Sequence, residues 1–446
     1  MLCTTMNTNM IYSHSCGNLQ AFLGHCHYHQ SVANSFSTSK AKRKHKSYIN
    51  AKIQPDISNS SLSFPSLPSQ TTTPTSSIMS SSSDPPAHKP TVTSTALHTM
   101  GASLIPYLDM KVHHLIPSHR WKEIEVTGHH TRSAPAIIYN GEKNDKLFNT
   151  QRPTATILEG DKLRINCFPG RDYVKHYANI IATHLAIEGR DPEIVKVVLP
   201  EVEDGYEVFL KSNLRGLATE KTNLVIVGSF PEDILSLSEP WSGRENTDEL
   251  FAWQTSTREN GFKATILKCR VCFWGDLAGQ LVRCLKEICG ASLQCVIYVG
   301  KLGTLAEEHM PNLTLATGSS SYVRGEFIEW ENPISEEILG KEVQRGVHFT
   351  SASVLDEDQV WFEKFRERFC WVEPEIGHMA FAAMEMMIRF GYLHIVSNNL
   401  AGKFEYDLGN EREVVVLRNR DLMNEWIGRI LNDFVEDLDR KLTNGA

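Results

Sequence analysis

The chain has 446 residues, with 45 Lys plus Arg against 53 Asp plus Glu and a formal net charge of −8. That balance excludes the domain-wide basic face of a general nucleic-acid binder. No apolar run approaches the ~18 residues of a membrane span, so neither nucleic acid nor membrane is expected as a partner.

The ten cysteines read as reduced intracellular thiols, because no secretory leader opens the chain. Residues 1–105 are low in complexity, as in SSLSFPSLPSQTTTPTSSIMSSSSDPP from Ser60 to Pro86. Such a composition cannot bury enough apolar surface to offset chain entropy, and a disordered tail is expected. Residues 1–55 are also poor in acid and carry Lys40, Lys42, Arg43, Lys44 and Lys46. They admit a mitochondrial or other organelle transit peptide beside a cytoplasmic location.

Order is expected from residue 106. Residues 106–222 hold strand patterns at Ala134–Tyr139, Thr154–Leu158 and Ile194–Leu199, and a helix over Tyr173–Ile187. In that helix Val174, Ala178, Ile181 and Leu185 recur at helical spacing. With so few strands, this part is expected to pack on the remainder rather than fold alone.

From Asn223 the rhythm becomes α/β. Strands are predicted at Leu224–Val227, Thr265–Phe273 and Gln294–Val299, with a helix over Leu277–Ile288. The strands close on Gly228-Ser229, on Trp274-Gly275-Asp276 and on Gly300 through Thr304. Glycine lets backbone approach a ligand closely, and a helix start offers unpaired N–H groups to an anion. Shorter strands are expected at Asn312–Thr317 and Arg345–Thr350, and helices at Gln359–Phe369 and Arg420–Leu442.

The stretch Trp371–Gly402 is the most informative. Glu373 and Glu375 flank a proline, Gly377 leads an apolar helix, and a strand over Tyr392–Val396 runs into Ser397-Asn398-Asn399. Groups just past a strand end and at a helix start share the ligand rim of α/β proteins. Glu375 and Asn398 are therefore expected to face one small polar ligand, the carboxylate suited to a diol and the amide to a heterocycle edge. Plainer readings stand beside this. Glu375 and Asp276 suit helix starts, and Asn398 and Asn399 suit turns. Lys301 also reads as a solvated side chain, the favoured reading, and His378 as a packing one. Cys269 and Cys272 form a lone CxxC, read as two thiols on a strand, since no second pair follows at zinc spacing.

In their order these motifs resemble the nucleoside phosphorylase and nucleosidase superfamily over roughly Asn223–Leu442. GKLGT (Gly300 to Thr304) and FWGDLAG (Phe273 to Gly279) are similar to its glycine loops. GVHFTSASVLDED (Gly346 to Asp358) is similar to the segment before its ribose motif. EPEIGHMAFAA (Glu373 to Ala383) is similar to the ribose motif itself, and IVSNN (Ile395 to Asn399) to its base-binding segment.

The resemblance implies a three-layer α/β fold with a mixed central sheet flanked by helices, formed by residues 223–446 with residues 106–222 as an extension. It implies N-ribosyl cleavage of a nucleoside, purine bases included, by phosphate or by water. Glu375 and Asn398 would be catalytic, and Glu373, Ser397 and His348 would join them in holding ribose and base. Gly228, Gly275, Gly300, Lys301, Gly303 and Thr304 would hold phosphate. No metal or organic cofactor is implied, only inorganic phosphate as co-substrate, and relatives with this fold usually form homo-oligomers.

The chain departs from the pattern. Asn398 stands where the family usually has Asp, and an amide cannot act as a general acid. Pro374 replaces a Met, and no Arg follows Gly228 directly. A nucleoside-binding module without chemistry is therefore the second reading. A dinucleotide-binding reading fails, because no GxGxxG follows a strand.

Overall fold

The computed structural model describes residues 88–129, 152–228, 240–243 and 249–444. The strand expected at Ala134–Tyr139, Ser229, and the tail and transit-peptide stretch up to residue 87 lie outside the described residues. Residues 88–105, assigned from composition to the tail, are structured. His98 Nε2 lies 2.8 Å from the Val354 carbonyl, and the Thr99 hydroxyl donates to the Glu357 carbonyl at 2.8 Å. Composition averaged over a long window hid these contacts.

A small sheet comes first: β1 (Glu123–Thr127), β2 (Thr154–Leu158), β3 (Lys162–Asn166) and β4 (Val195–Val198), in the order β2-β3-β1-β4. Strand β1 runs parallel to β3 and β4, while β2 and β3 form an antiparallel pair. Ile124, Val126, Leu163 and Ile165 are fully buried, one face of each strand turned to the core. Helices α1 (Leu104–Lys111), α2 (Leu115–Ser118), α3 (Arg171–Ile187) and α4 (Asp204–Lys211) complete this layer.

The large sheet has eleven strands among the described residues. In chain order they are β5 (Leu224–Gly228), β6 (Phe251–Thr257), β7 (Lys263–Cys269), β8 (Cys295–Thr304), β9 (Leu315–Thr317), β10 (Ser320–Val323), β11 (Glu326–Glu329), β12 (Gln344–Arg345), β13 (His348–Thr350), β14 (Trp371–Glu373) and β15 (Arg389–Asn399). The helices are α5 (Asp276–Cys289), α6 (Glu336–Leu339), α7 (Gln359–Phe365), α8 (Ile376–Glu385) and α9 (Val414–Asn444).

Strand β8 is the hub, parallel to β5 and β15 and antiparallel to β14 at its far end. The sheet is mixed and buried on both faces. Along β5, Val225 and Val227 join a core with α5 and α8, while Leu224 and Ile226 join another with α9. Continuous apolar strands of this kind read as two-sided burial. The expected three layers are present: helices, sheet, helices.

Two local differences follow from pairing. Strand β7 stops at Cys269, where its antiparallel partner β6 begins at Phe251. Gly300 through Thr304 form no loop; they continue β8 in register with β15, from His394↔Gly300 to Asn399↔Thr304. Tertiary pairing overrides the low strand propensity of glycine there.

The N-terminal layer and the large sheet share one core. Helices α3 and α5 meet first turn to first turn, and each caps the other. The Asp276 carboxylate accepts from the Arg171 and Asp172 N–H groups, both at 3.2 Å, and Asp172 accepts from the Asp276 N–H at 3.1 Å. Just beyond, Leu277 is 1% exposed and seats against Gly170 and Gly205, where an added Cβ would come within 2.5 Å of its methyl groups. Leu277→Ala should lower unfolding free energy by about 2–5 kcal/mol in urea titration. Residues 106–222 expressed alone should show no cooperative transition, because their core is continuous with that of the large sheet.

Candidate active site

A cavity of about 260 Å³ opens at the carboxyl ends of β5, β8 and β15. Gly228, Gly300, Lys301, Gly303, Ser397 and Asn398 line it from the strands, and Glu373 and Glu375 line it from the start of α8. The two predicted catalytic residues thus share one cavity.

The reason lies in the ladder between β8 and β15. Val396 pairs with Leu302 and Asn398 with Gly303, so Ser397 is an extra, bulged residue. A bulge breaks strict alternation and re-aims side chains; here both Ser397 and Asn398 reach the cavity. Ser397 Oγ lies 3.0 Å from the Leu302 carbonyl and 2.8 Å from Asn398 Oδ1. Glycine at 228 is obligatory: its φ is +139°, and a Cβ would stand 1.8 Å from the Val299 carbonyl oxygen. At Gly303 a Cβ would crowd Leu400, Val372 and Asn398.

Glu373 and Glu375 differ sharply. Glu373 accepts from the Glu375 N–H at 2.8 Å and from the Ile376 N–H, so it is the acid that caps α8. His348 Nε2 lies 3.3 Å behind it, and His348 Nδ1 is 2.8 Å from Ser321 Oγ. Burial would raise the Glu373 carboxyl, but the hydrogen bond from Glu375 and the adjacent His348 ring outweigh that and hold it below the ordinary range. Glu375 goes the other way: burial and the adjacent Glu373 charge push it well above the ordinary range. The two shifts favour the charge on Glu373 and the proton on Glu375. Tyr298 closes the group, with its hydroxyl 3.5 Å from Glu375 Oε2.

Several expected residues are elsewhere. His348 is fully buried behind Glu373 and does not line the cavity. Thr304 is fully buried too, with its hydroxyl donating to the Cys370 carbonyl at 3.1 Å. Gly275 packs against Asp172, where a Cβ would meet that side chain at 2.5 Å. The N-terminus of α5, expected to receive phosphate, is already filled by the Asp172 carboxylate. Lys301 lines the cavity, but its ammonium sits 2.5 Å from Glu411, which Arg420 also contacts at 3.1 Å. Asp276 caps as one reading held, on α3 rather than its own helix. His378 packs against Asp172, Nε2 to Oδ2 at 3.2 Å. Of the CxxC pair, Cys269 is buried and both thiols border the cavity; among the described residues no group of three or more ligating side chains gathers to hold a metal.

The N-terminal layer supplies the opposite wall, which sequence reasoning missed. Tyr173, His176, Tyr177 and Ile180 of α3 all line the cavity. Their i, i+3, i+4, i+7 spacing marks one helix face. Two tyrosines and a histidine on that face were the available signal.

No protein-family model and no curated protein matches the sequence. Solved structures with a similar arrangement include three enzymes. A putative methylthioadenosine nucleosidase from Weissella paramesenteroides has 12% identity, covers 49% of this chain and 98% of its own, and gives a TM-score of 0.37. Futalosine hydrolase of Helicobacter pylori has 12% identity, coverages of 49% and 99%, and a TM-score of 0.37. The Campylobacter jejuni 5'-methylthioadenosine/S-adenosyl homocysteine nucleosidase has 15% identity, coverages of 48% and 99%, and a TM-score of 0.37.

The acid pair gives a pH prediction. Glu373, held ionised below its ordinary value of 4.5, stabilises the fold above that pH and ceases to as pH falls below it. Glu375, held protonated, stabilises below 4.5 and loses this as pH rises toward its raised value. Melting temperature against pH should therefore respond in opposite senses: Glu373→Gln flattens the acid limb and Glu375→Gln the alkaline limb. Glu373→Gln should also cost about 1–3 kcal/mol at neutral pH, the price of a buried donor left unpaired.

Proposed function

We propose that this cavity binds a nucleoside and cleaves its N-glycosidic bond with water. The observation that carries the reading is the joint lining of one cavity by Glu375 and Asn398. A protonated Glu375 is both donor and acceptor, which suits two vicinal ribose hydroxyls, each itself donor and acceptor. Asn398, steadied by Ser397, offers an amide to the base edge.

In the reaction the bond from the anomeric carbon to the base nitrogen breaks. A water oxygen bonds that carbon, and a proton ends on the departing base. Positive charge grows on the ribosyl ring in the transition state, and the nearby Glu373 anion favours it electrostatically. Asn398 stabilises the leaving base by hydrogen bonding without giving up a proton.

Water is preferred to phosphate on three grounds. Gly300 to Thr304 belong to the β8 ladder, the α5 N-terminus holds Asp172, and Lys301 is paired with Glu411.

Incubation of the purified protein with adenosine, inosine, guanosine and uridine, with and without phosphate, tests this by release of free base. Release independent of phosphate is the expected result. Strict phosphate dependence would select a phosphorylase, and binding without release the inactive module. Glu375→Ala should lower kcat/KM by about 10²–10³-fold, the scale of a lost transition-state donor.

A further inference from the structure

The N-terminal layer and the segment just before α7 together give the cavity polar groups that glycosidic cleavage does not use. Tyr107 of α1, Tyr173 and His176 of α3, and Glu357 just before α7 all line the cavity. They are 2%, 7%, 3% and 4% exposed. Among the described residues, none of the Tyr107 and Tyr173 hydroxyls, the His176 Nε2 and the Glu357 carboxyl has a hydrogen-bond or ion-pair partner. These atoms open onto the cavity rather than onto protein partners, and because polar groups of nearly buried residues usually find a partner, four of them bordering one cavity point to something that fills it.

The groups are held in place. The His176 ring stacks on Trp274 with centroids 4.1 Å apart and planes at 12°, and its Nδ1 is 2.9 Å from Ser353 Oγ. Trp274 is itself fixed by its indole N–H, which donates to the Ala352 carbonyl at 2.9 Å. The Glu357 backbone is tied to Val354 and, through its carbonyl, to the Thr99 N–H and hydroxyl. Preorganised hydrogen-bonding groups lose little freedom on binding.

Burial favours the uncharged form of all four. Burial pushes both tyrosines up and takes His176 down to about 3. Burial, with the Asp356 charge beside it, raises Glu357 well above the carboxylate range. These four groups therefore offer donors and acceptors in their uncharged forms, beside the cationic Lys111 and Arg152 that line the same side of the cavity.

We propose that Tyr107, Tyr173, His176 and Glu357 form a second recognition subsite, for an uncharged group carrying several hydrogen-bonding atoms on the ligand that Glu375 and Asn398 hold. The proposal rests on the nucleoside reading for its ligand but not on cleavage.

Binding is measured by calorimetry with adenosine, inosine and uridine as probes, on the wild type and on Tyr173→Phe, His176→Ala, Glu357→Gln and Glu357→Ala. At least one probe should bind. Tyr173→Phe, His176→Ala and Glu357→Ala should each weaken it about 5- to 10-fold, and Glu357→Gln, which keeps a neutral donor and acceptor, less than about twofold. Tyr173→Phe and Glu357→Gln are near-isosteric, so they carry the test if an alanine variant fails to fold. Loss with Glu357→Gln as large as with Glu357→Ala would overturn the proposal, because an ionised carboxylate would then be doing the binding. Unchanged affinity in every variant, or no binding of any uncharged probe, would overturn it too. Binding that follows the expected pattern without release of base would leave the subsite standing and remove only the cleavage reading.

Discussion

The geometry of the site depends on how β15 lies against β8. Both strands are buried on two faces, so neither can shift without exposing apolar side chains. The single bulged residue, Ser397, is where the pairing departs from regularity, and it falls at the cavity rim. A regular ladder would send Ser397 and Asn398 to opposite faces of the sheet. The bulge delivers both to one side, opposite the start of α8.

The second element of the site is the division of labour between two acids separated by one proline. Glu373 spends its charge on helix α8 and on His348. Its ionisation keeps the proton on Glu375. The outer residue thereby gains a donor that a free carboxylate would lack, and the inner one supplies a nearly buried negative charge at the edge of the cavity.

Much of this was legible in the sequence. The apolar runs of β5 and β8 and the long C-terminal amphipathic helix are written in burial pattern, and Glu375 and Asn398 stand where strand-end and helix-start logic places them. The glycine segments were misread for a physical reason. Gly300 and Gly303 look like loop formers, yet they are small because neighbours crowd β8: His394 presses on the first and Val372, Leu400 and Asn398 on the second. Glycine signals close approach without saying whether a ligand or another strand approaches. Gly275 carries the same ambiguity, with Asp172 as the neighbour. Strand β6 and the role of the α3 face as the opposite wall were not read from the sequence for another reason, since both are set by contacts far away in the chain.

The reciprocal capping of α3 and α5 has a mechanical consequence. Asp172 and Asp276 lie far apart in the chain, but each satisfies N–H groups on the other's helix. Prising the N-terminal layer from the sheet would bare two helix ends simultaneously, so the helix bearing His176 is clasped to α5, which packs on the same core as the sheet. The dimensions of the chamber between α3 and the sheet are thereby set by a joint that lies outside it.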